Sequence, residues 1–248
     1  NIWIGTQNSG LWKCRLASQT ALFHSSDIGL NNLYCTTFFE SDNGKVWIGT
    51  DGQGLFLVDS LFSLNNHFSD SNGLTSSNVL SSAAIGSQTY FASWGGEIVR
   101  TDGNSTKFTK VPFHGLSSPS FSVKYIEVVE KDKLLACTSG DGVYLYENGQ
   151  WRSIDLTLNG TPDRWTHSAI EGRDGKIWIL TSRTIWHGTL DDLAPVLPDM
   201  DKNPSHNPMV FHQAVEDNDG NLWLASNNGM YKIDAEQNYK LEPVTFLP

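Results

Sequence analysis

Residues 159 to 167, Asn-Gly-Thr-Pro-Asp-Arg-Trp-Thr-His, place a planar cation, an aromatic face and an imidazole within four positions, Arg164, Trp165 and His167. Tryptophan offers a flat apolar surface and arginine a fork of donors, the pair that a sugar or a carboxylate-bearing sugar would use. The same residues would also serve as an ordinary packing anchor with a surface contact between Asp163 and Arg164. Arg183 and Trp186 follow shortly after, and the stretch 203 to 212 adds His206 and His212. Trp94 stands apart from these, just before Gly95-Gly96. The expected ligand contacts are therefore Trp94, Arg164, Trp165, His167, Arg183 and His212, with no catalytic residue and no metal ligand among them. A metal would need three or four converging ligands, and separated histidines do not announce them.

Other chemistry leaves no trace in the motifs. There is no G-x-S-x-G elbow, no H-E-x-x-H and no phosphate loop. Gly52-Gln53-Gly54 and Gly140-Asp141-Gly142 begin like a dinucleotide fingerprint, but Leu57 and Leu145 stand in the third glycine's place. Asp217-Asn218-Asp219-Gly220 has its glycine too early for a calcium loop. Two carboxylates meeting across a surface would leave no local motif, so glycan cleavage stays a minor alternative. No cofactor is expected.

A net charge of -10 supplies no basic stripe and argues against a nucleic-acid partner. The three cysteines, Cys14, Cys35 and Cys137, lack metal-ligand spacing and read as free thiols on strands. No apolar run is long enough for a membrane span, and no signal peptide is seen.

These residues are carried by a repeat. Aligned on Trp47, equivalent positions fall at Trp3, Phe91, Leu135, Trp178 and Trp223, with successive spacings of 44, 44, 44, 43 and 45. Asn43-Gly44, Asp174-Gly175 and Asp219-Gly220 precede the anchor as two-residue hairpin turns, and small residues with a glycine follow it. In this alignment Trp94 replaces Thr6, Thr50, Thr138, Thr181 and Ser226 of the sibling copies. Copy five lacks the glycine, so its second turn should differ. Four short antiparallel strands per unit of this length predict an all-β fold, a β-propeller with six repeats visible, the first blade incomplete. The anchors should fill the space between blades. The crossings from outer to next inner strand share one face with the turns between second and third strands, and a ligand site is expected there.

Residues 42 to 50, Asp-Asn-Gly-Lys-Val-Trp-Ile-Gly-Thr, and the connector 72 to 79, Asn-Gly-Leu-Thr-Ser-Ser-Asn-Val, resemble the two-component regulator propeller repeat, as does 217 to 226. The resemblance implies an extracytoplasmic ligand-sensing segment of a bacterial receptor, on the periplasmic or extracellular side of the membrane. It implies an oligosaccharide or other small extracellular ligand. A noncatalytic protein-interaction module, with a protein partner or homodimer, is the alternative. The expected organisation is one propeller segment over 1 to 248, part of a longer array with leader, membrane span and signalling domain elsewhere.

Overall fold

The computed structural model describes residues 2–7, 9–15, 20–41, 44–59, 61–95, 97–102, 107–113, 122–197, 209–234 and 239–245. The chain divides into two compact units, Asn1–Phe113 and His114–Pro248. Both are built from blade-type antiparallel sheets, so the fold is all-β and of β-propeller type, with six successive blades.

The first unit holds a three-stranded sheet, β1 (Ile2–Gly5), β2 (Leu11–Arg15) and β3 (Thr20–His24), followed by a 3-10 turn at Ser25–Ile28. The sheet starts at the repeat's second strand, as the incomplete first copy predicts. Two four-stranded sheets follow: β4 (Cys35–Glu40) to β7 (Leu64–Phe68) through β5 (Val46–Thr50) and β6 (Leu55–Val58), then β8 (Val79–Ile85), β9 (Gln88–Ser93), β10 (Ile98–Asp102) and β11 (Thr109–Val111).

The second unit holds three four-stranded sheets. They are β12 (Val123–Val129), β13 (Lys133–Thr138), β14 (Val143–Glu147) and β15 (Gln150–Ile154); β18 (Thr166–Glu171), β19 (Ile177–Thr181), β20 (Ile185–Thr189) and β21 (Asp192–Pro195); and β22 (Phe211–Glu216), β23 (Leu222–Ser226), β24 (Gly229–Asp234) and β25 (Lys240–Pro243). Between the first two sits a small hairpin, β16 (Thr157–Leu158) with β17 (Thr161–Pro162), turned by Asn159 and Gly160 at φ 52° and 75°. Positive φ at both central residues suits the right-handed twist of the flanking strands, and Asn-Gly tolerates it.

Three of the turns before the anchors are not two-residue loops, whereas Gly86-Ser87, between paired Ile85 and Gln88, is one. In the last blade Asp217 N–H donates to Asn221 O and Gly220 N–H to Asp217 O, a three-residue loop with Gly220 at φ 82°. Ser41 to Lys45 and Gly172 to Lys176 close in the same way. Only the glycine needs positive φ in this turn, which ends in a glycine bulge.

Blades bury each other through the anchors. Trp47 is 1% exposed and packs against Phe91, with ring centroids 5.3 Å apart, among Leu55, Leu57, Val79 and Val99. Leu135 and Trp178 are equally buried in the cores of the second unit. Copy three is offset by one from the sequence alignment. Ser93 pairs with Val79 as Thr50 pairs with Cys35, so Tyr90 rather than Phe91 is the register equivalent of Trp47. Two adjacent aromatic residues hid that slip.

Candidate functional site

The site grows from two devices, the first present in all six repeats and the second in the five that follow a crossing. The first is a hydroxyl that closes the turn between second and third strands. Thr6, Thr50, Ser93 and Thr138 donate to the carbonyl four residues on, at 2.7 to 3.1 Å. Thr181 and Ser226 donate three residues on, to Thr184 and Gly229 at 2.8 and 2.9 Å. Copy five therefore has the different second turn that its missing glycine predicts, and copy six shares the shorter closure. Ser93, not Trp94, is the sibling of Thr50, which corrects the sequence placement of Trp94.

The second device joins this turn to the crossing. The residue after the hydroxyl donates its N–H to the residue that precedes the inner strand: Asp51 to Tyr34, Trp94 to Asn78, Ser139 to Ser122, Ser182 to Trp165 and Asn227 to Val210, at 2.9 to 3.2 Å. Crossings and second turns thus share one end of the blades, as expected. Trp94 and Trp165 occupy the two sides of such a joint, each in its own unit, and are 55% and 53% exposed. Their backbones are fixed while their rings stand in solvent.

The crossing into the fifth blade is pinned at four successive residues, Asp163 to Thr166. Arg164 O accepts from Gly140 and Gly142 N–H, at 3.2 and 2.8 Å. Thr166 Oγ1 accepts from Thr138 N–H at 2.7 Å and lies 3.0 Å from Thr138 O. Asp163 is buried rather than a surface partner of Arg164. Its Oδ2 accepts from Thr181 Oγ1 at 2.6 Å and Trp186 Nε1 at 3.1 Å. Sequence reasoning missed this anchor because its partners lie 18 and 23 residues away.

Arg164 and Trp165 are both exposed. Arg183 sits in the turn between β19 and β20, its guanidinium donating to Thr161 O and Leu158 O at 3.2 and 3.4 Å, so it clamps the β16–β17 hairpin. His167 Nε2 sits 3.0 Å from Ser182 Oγ, and its ring meets that of exposed His212 edge-on, centroids 5.9 Å apart. Burial first, then the charge of Lys124 and the proximity of His212, push the His167 pKa down to about 4. The structure thus gathers Arg164, Trp165, His167, Arg183 and His212 in the second unit, while Trp94 belongs to the first. His206 lies outside the described residues. Lys124 was not singled out by sequence reasoning. Lining up the inner strands would have found it, because Thr36, Leu80, Lys124, His167 and His212 all fall where the first ladder of their blade slips by one residue. Among the described residues no three metal-ligating side chains gather.

Residues 29–52 and 205–228 match the family described as two component regulator propeller. These two segments match the two-component regulator propeller repeat. No curated protein matches this chain. Among solved structures, the blades of this chain are similar to a streptogramin B lyase, at 11% identity and a TM-score of 0.74, covering 99% of this chain and 80% of that one. They are also similar to YCF48 bound to D1 peptide, at 16% identity and TM-score 0.64, with 93% and 73% covered. The extracellular domain of BT4673 from B. thetaiotaomicron, described as a one component system, gives 16% identity and TM-score 0.51, with 97% of this chain matched. The chain spans 39% of that domain's length. At these identities the likeness is one of fold.

Proposed function

We propose that this propeller segment is a noncatalytic, extracytoplasmic sensor that binds an oligosaccharide at the crossing end of its second unit and relays binding to a signalling domain of the same receptor. The observation that carries the reading is Trp165, a half-exposed indole on a backbone held from both sides, through Ser182 N–H and the Ser139 bridge, beside the exposed Arg164. A ring held rigid before binding loses little freedom when a sugar stacks on it, which favours affinity. The repeat family and the extracellular origin of BT4673 support the sensing role. The test is calorimetry against neutral and acidic oligosaccharides, with the mixtures assayed for cleavage products. Binding without product, abolished by Trp165→Ala, is the expected outcome. Product formation would make the protein an enzyme. Heat unaltered in Trp165→Ala would overturn the site, and silence across the panel would favour a protein partner.

A further inference from the structure

The inner strands of the second unit carry a row of side chains that sugar stacking does not use. In β12, β18 and β22 the ladder slips by one residue after the first pair, between Val123 and Tyr125, Thr166 and Ser168, and Phe211 and Gln213. The residues freed are Lys124, His167 and His212. A residue released from its ladder is re-aimed, and such slips recur beside functional sites.

These three converge. The strand β18 packs against both β12 and β22. One position further along, Gln213 Nε2 reaches the Tyr125 hydroxyl at 3.2 Å, so side chains of the flanking strands meet over the middle one. His167 and His212 are already in ring contact. The nearby carboxylates are committed elsewhere. Asp163 turns to Thr181 and Trp186, Glu127 accepts from Tyr125 at 3.0 Å, and Glu171 accepts from Glu130 N–H at 2.9 Å. Asp141 accepts from the Tyr144 hydroxyl at 3.0 Å. Among the described residues Lys124 forms no ion pair. Burial is the larger cause of the depressed His167 pKa, and the Lys124 and His212 charges add to it.

We propose that Lys124, His167 and His212 form an oxyanion subsite that takes the sulfate or carboxylate of an acidic saccharide whose ring stacks on Trp165. Lys124 supplies the fixed charge, His212 supplies a ring N–H donor, and His167 an N–H donor that gains charge as the anion binds. The assignment deepens the sugar-binding reading and rests on it, yet the anion can be tested alone. Charged hydrogen bonds to an oxyanion are shorter and stronger than neutral ones, so the subsite would separate acidic from neutral sugars.

The experiment is an NMR titration of the histidine rings in sodium sulfate, sodium glucuronate and sodium chloride at equal ionic strength. The His167 midpoint should rise by about one unit or more in sulfate or glucuronate relative to chloride, because a bound anion favours the imidazolium. A rise in sulfate alone points to a sulfated sugar, and one in glucuronate to a uronic acid. Lys124→Gln should remove at least half of the rise, while Trp165→Ala should keep it. Equal midpoints in all three salts overturn the subsite, as does a rise undiminished by Lys124→Gln. An anion-dependent rise with no oligosaccharide heat would leave the subsite standing and fell the sugar reading. Neutral oligosaccharide binding without the rise would do the reverse.

Discussion

The crossings into the third and fifth blades share the backbone bonds of the joint, at Ser77 O and Asn78 O and at Arg164 O and Trp165 O, but hold the rest of their chain differently. Residues 69 to 78 satisfy their backbone with their own side chains: Asn72 Oδ1 accepts from Ser69 N–H, Ser77 Oγ from Asp70 N–H and Ser76 Oγ from Asn78 N–H. Ser77 also donates to Asp70 Oδ1, so the polar groups there are consumed locally. The crossing into the fifth blade delegates the work to a hairpin, to buried Asp163 and to neighbouring backbone, which leaves Arg164 and Trp165 exposed. A loop has recognition chemistry to spare only when something else holds its backbone.

That contrast can be broken at its supports. Gly54 sits at φ 80°, and a Cβ there would lie 2.0 Å from Phe68 O, whereas the equivalent Gly142 at φ 86° has open space. Gly54→Ala should therefore cost about 4 kcal/mol in chemical denaturation and Gly142→Ala only about 1 kcal/mol. Equal costs would mean that the first crossing yields as readily as the second. Asp163→Ala strips the acceptor from Thr181 and Trp186 and should lower stability by about 3 kcal/mol, read by the same unfolding curves. A loss below about 1 kcal/mol would show that the hairpin alone holds the crossing.

A pH series sharpens the comparison further. The folded His167 pKa, about 4, lies below its ordinary 6.5, so the unfolded chain takes up a proton that the folded one refuses. Its contribution to stability should be lost as pH falls from about 6.5 towards 4, by about 1 kcal/mol after allowing for solvent screening, and His167→Gln should flatten that limb. Glu127 runs the other way. Burial first, and then the charge of Glu171, raise its pKa from 4.5 to about 7, so stability present below 4.5 is lost as pH rises through 7. Glu127→Gln should be relatively more stable above pH 7, seen as a melting temperature that no longer falls across that interval. The smallest expected effect is Ser77→Ala, about 0.5 kcal/mol with no change in sugar binding, because its bonds are local and solvent-exposed.

The period and the strands were legible because glycine turns and apolar pairs repeat along the chain. The Trp47, Leu135 and Trp178 anchors were legible for the same reason. Copy three was misaligned because Tyr90 and Phe91 both fit an aromatic anchor, and only the ladder with Val79 and Ser81 tells them apart. Trp165 and Arg164 were found because they are adjacent in sequence. Asp163 reads as a surface residue in the sequence because its partners come 18 and 23 residues later, on the second and third strands of the blade it leads into, and Lys124 carries no local signal because it lies on a strand, away from the crossings. Arg183 was chosen for its charge, while its position makes it a clamp for carbonyls that no local pattern reveals.

The slip in each inner strand has an evolutionary corollary. It sets aside one residue per repeat whose identity the ladder does not constrain, and in this chain the five places hold threonine, leucine, lysine and two histidines. Each can be exchanged without re-registering a sheet. The scaffold is in that sense a fixed rack with interchangeable slots, able to acquire a new specificity one substitution at a time while its folding stays intact.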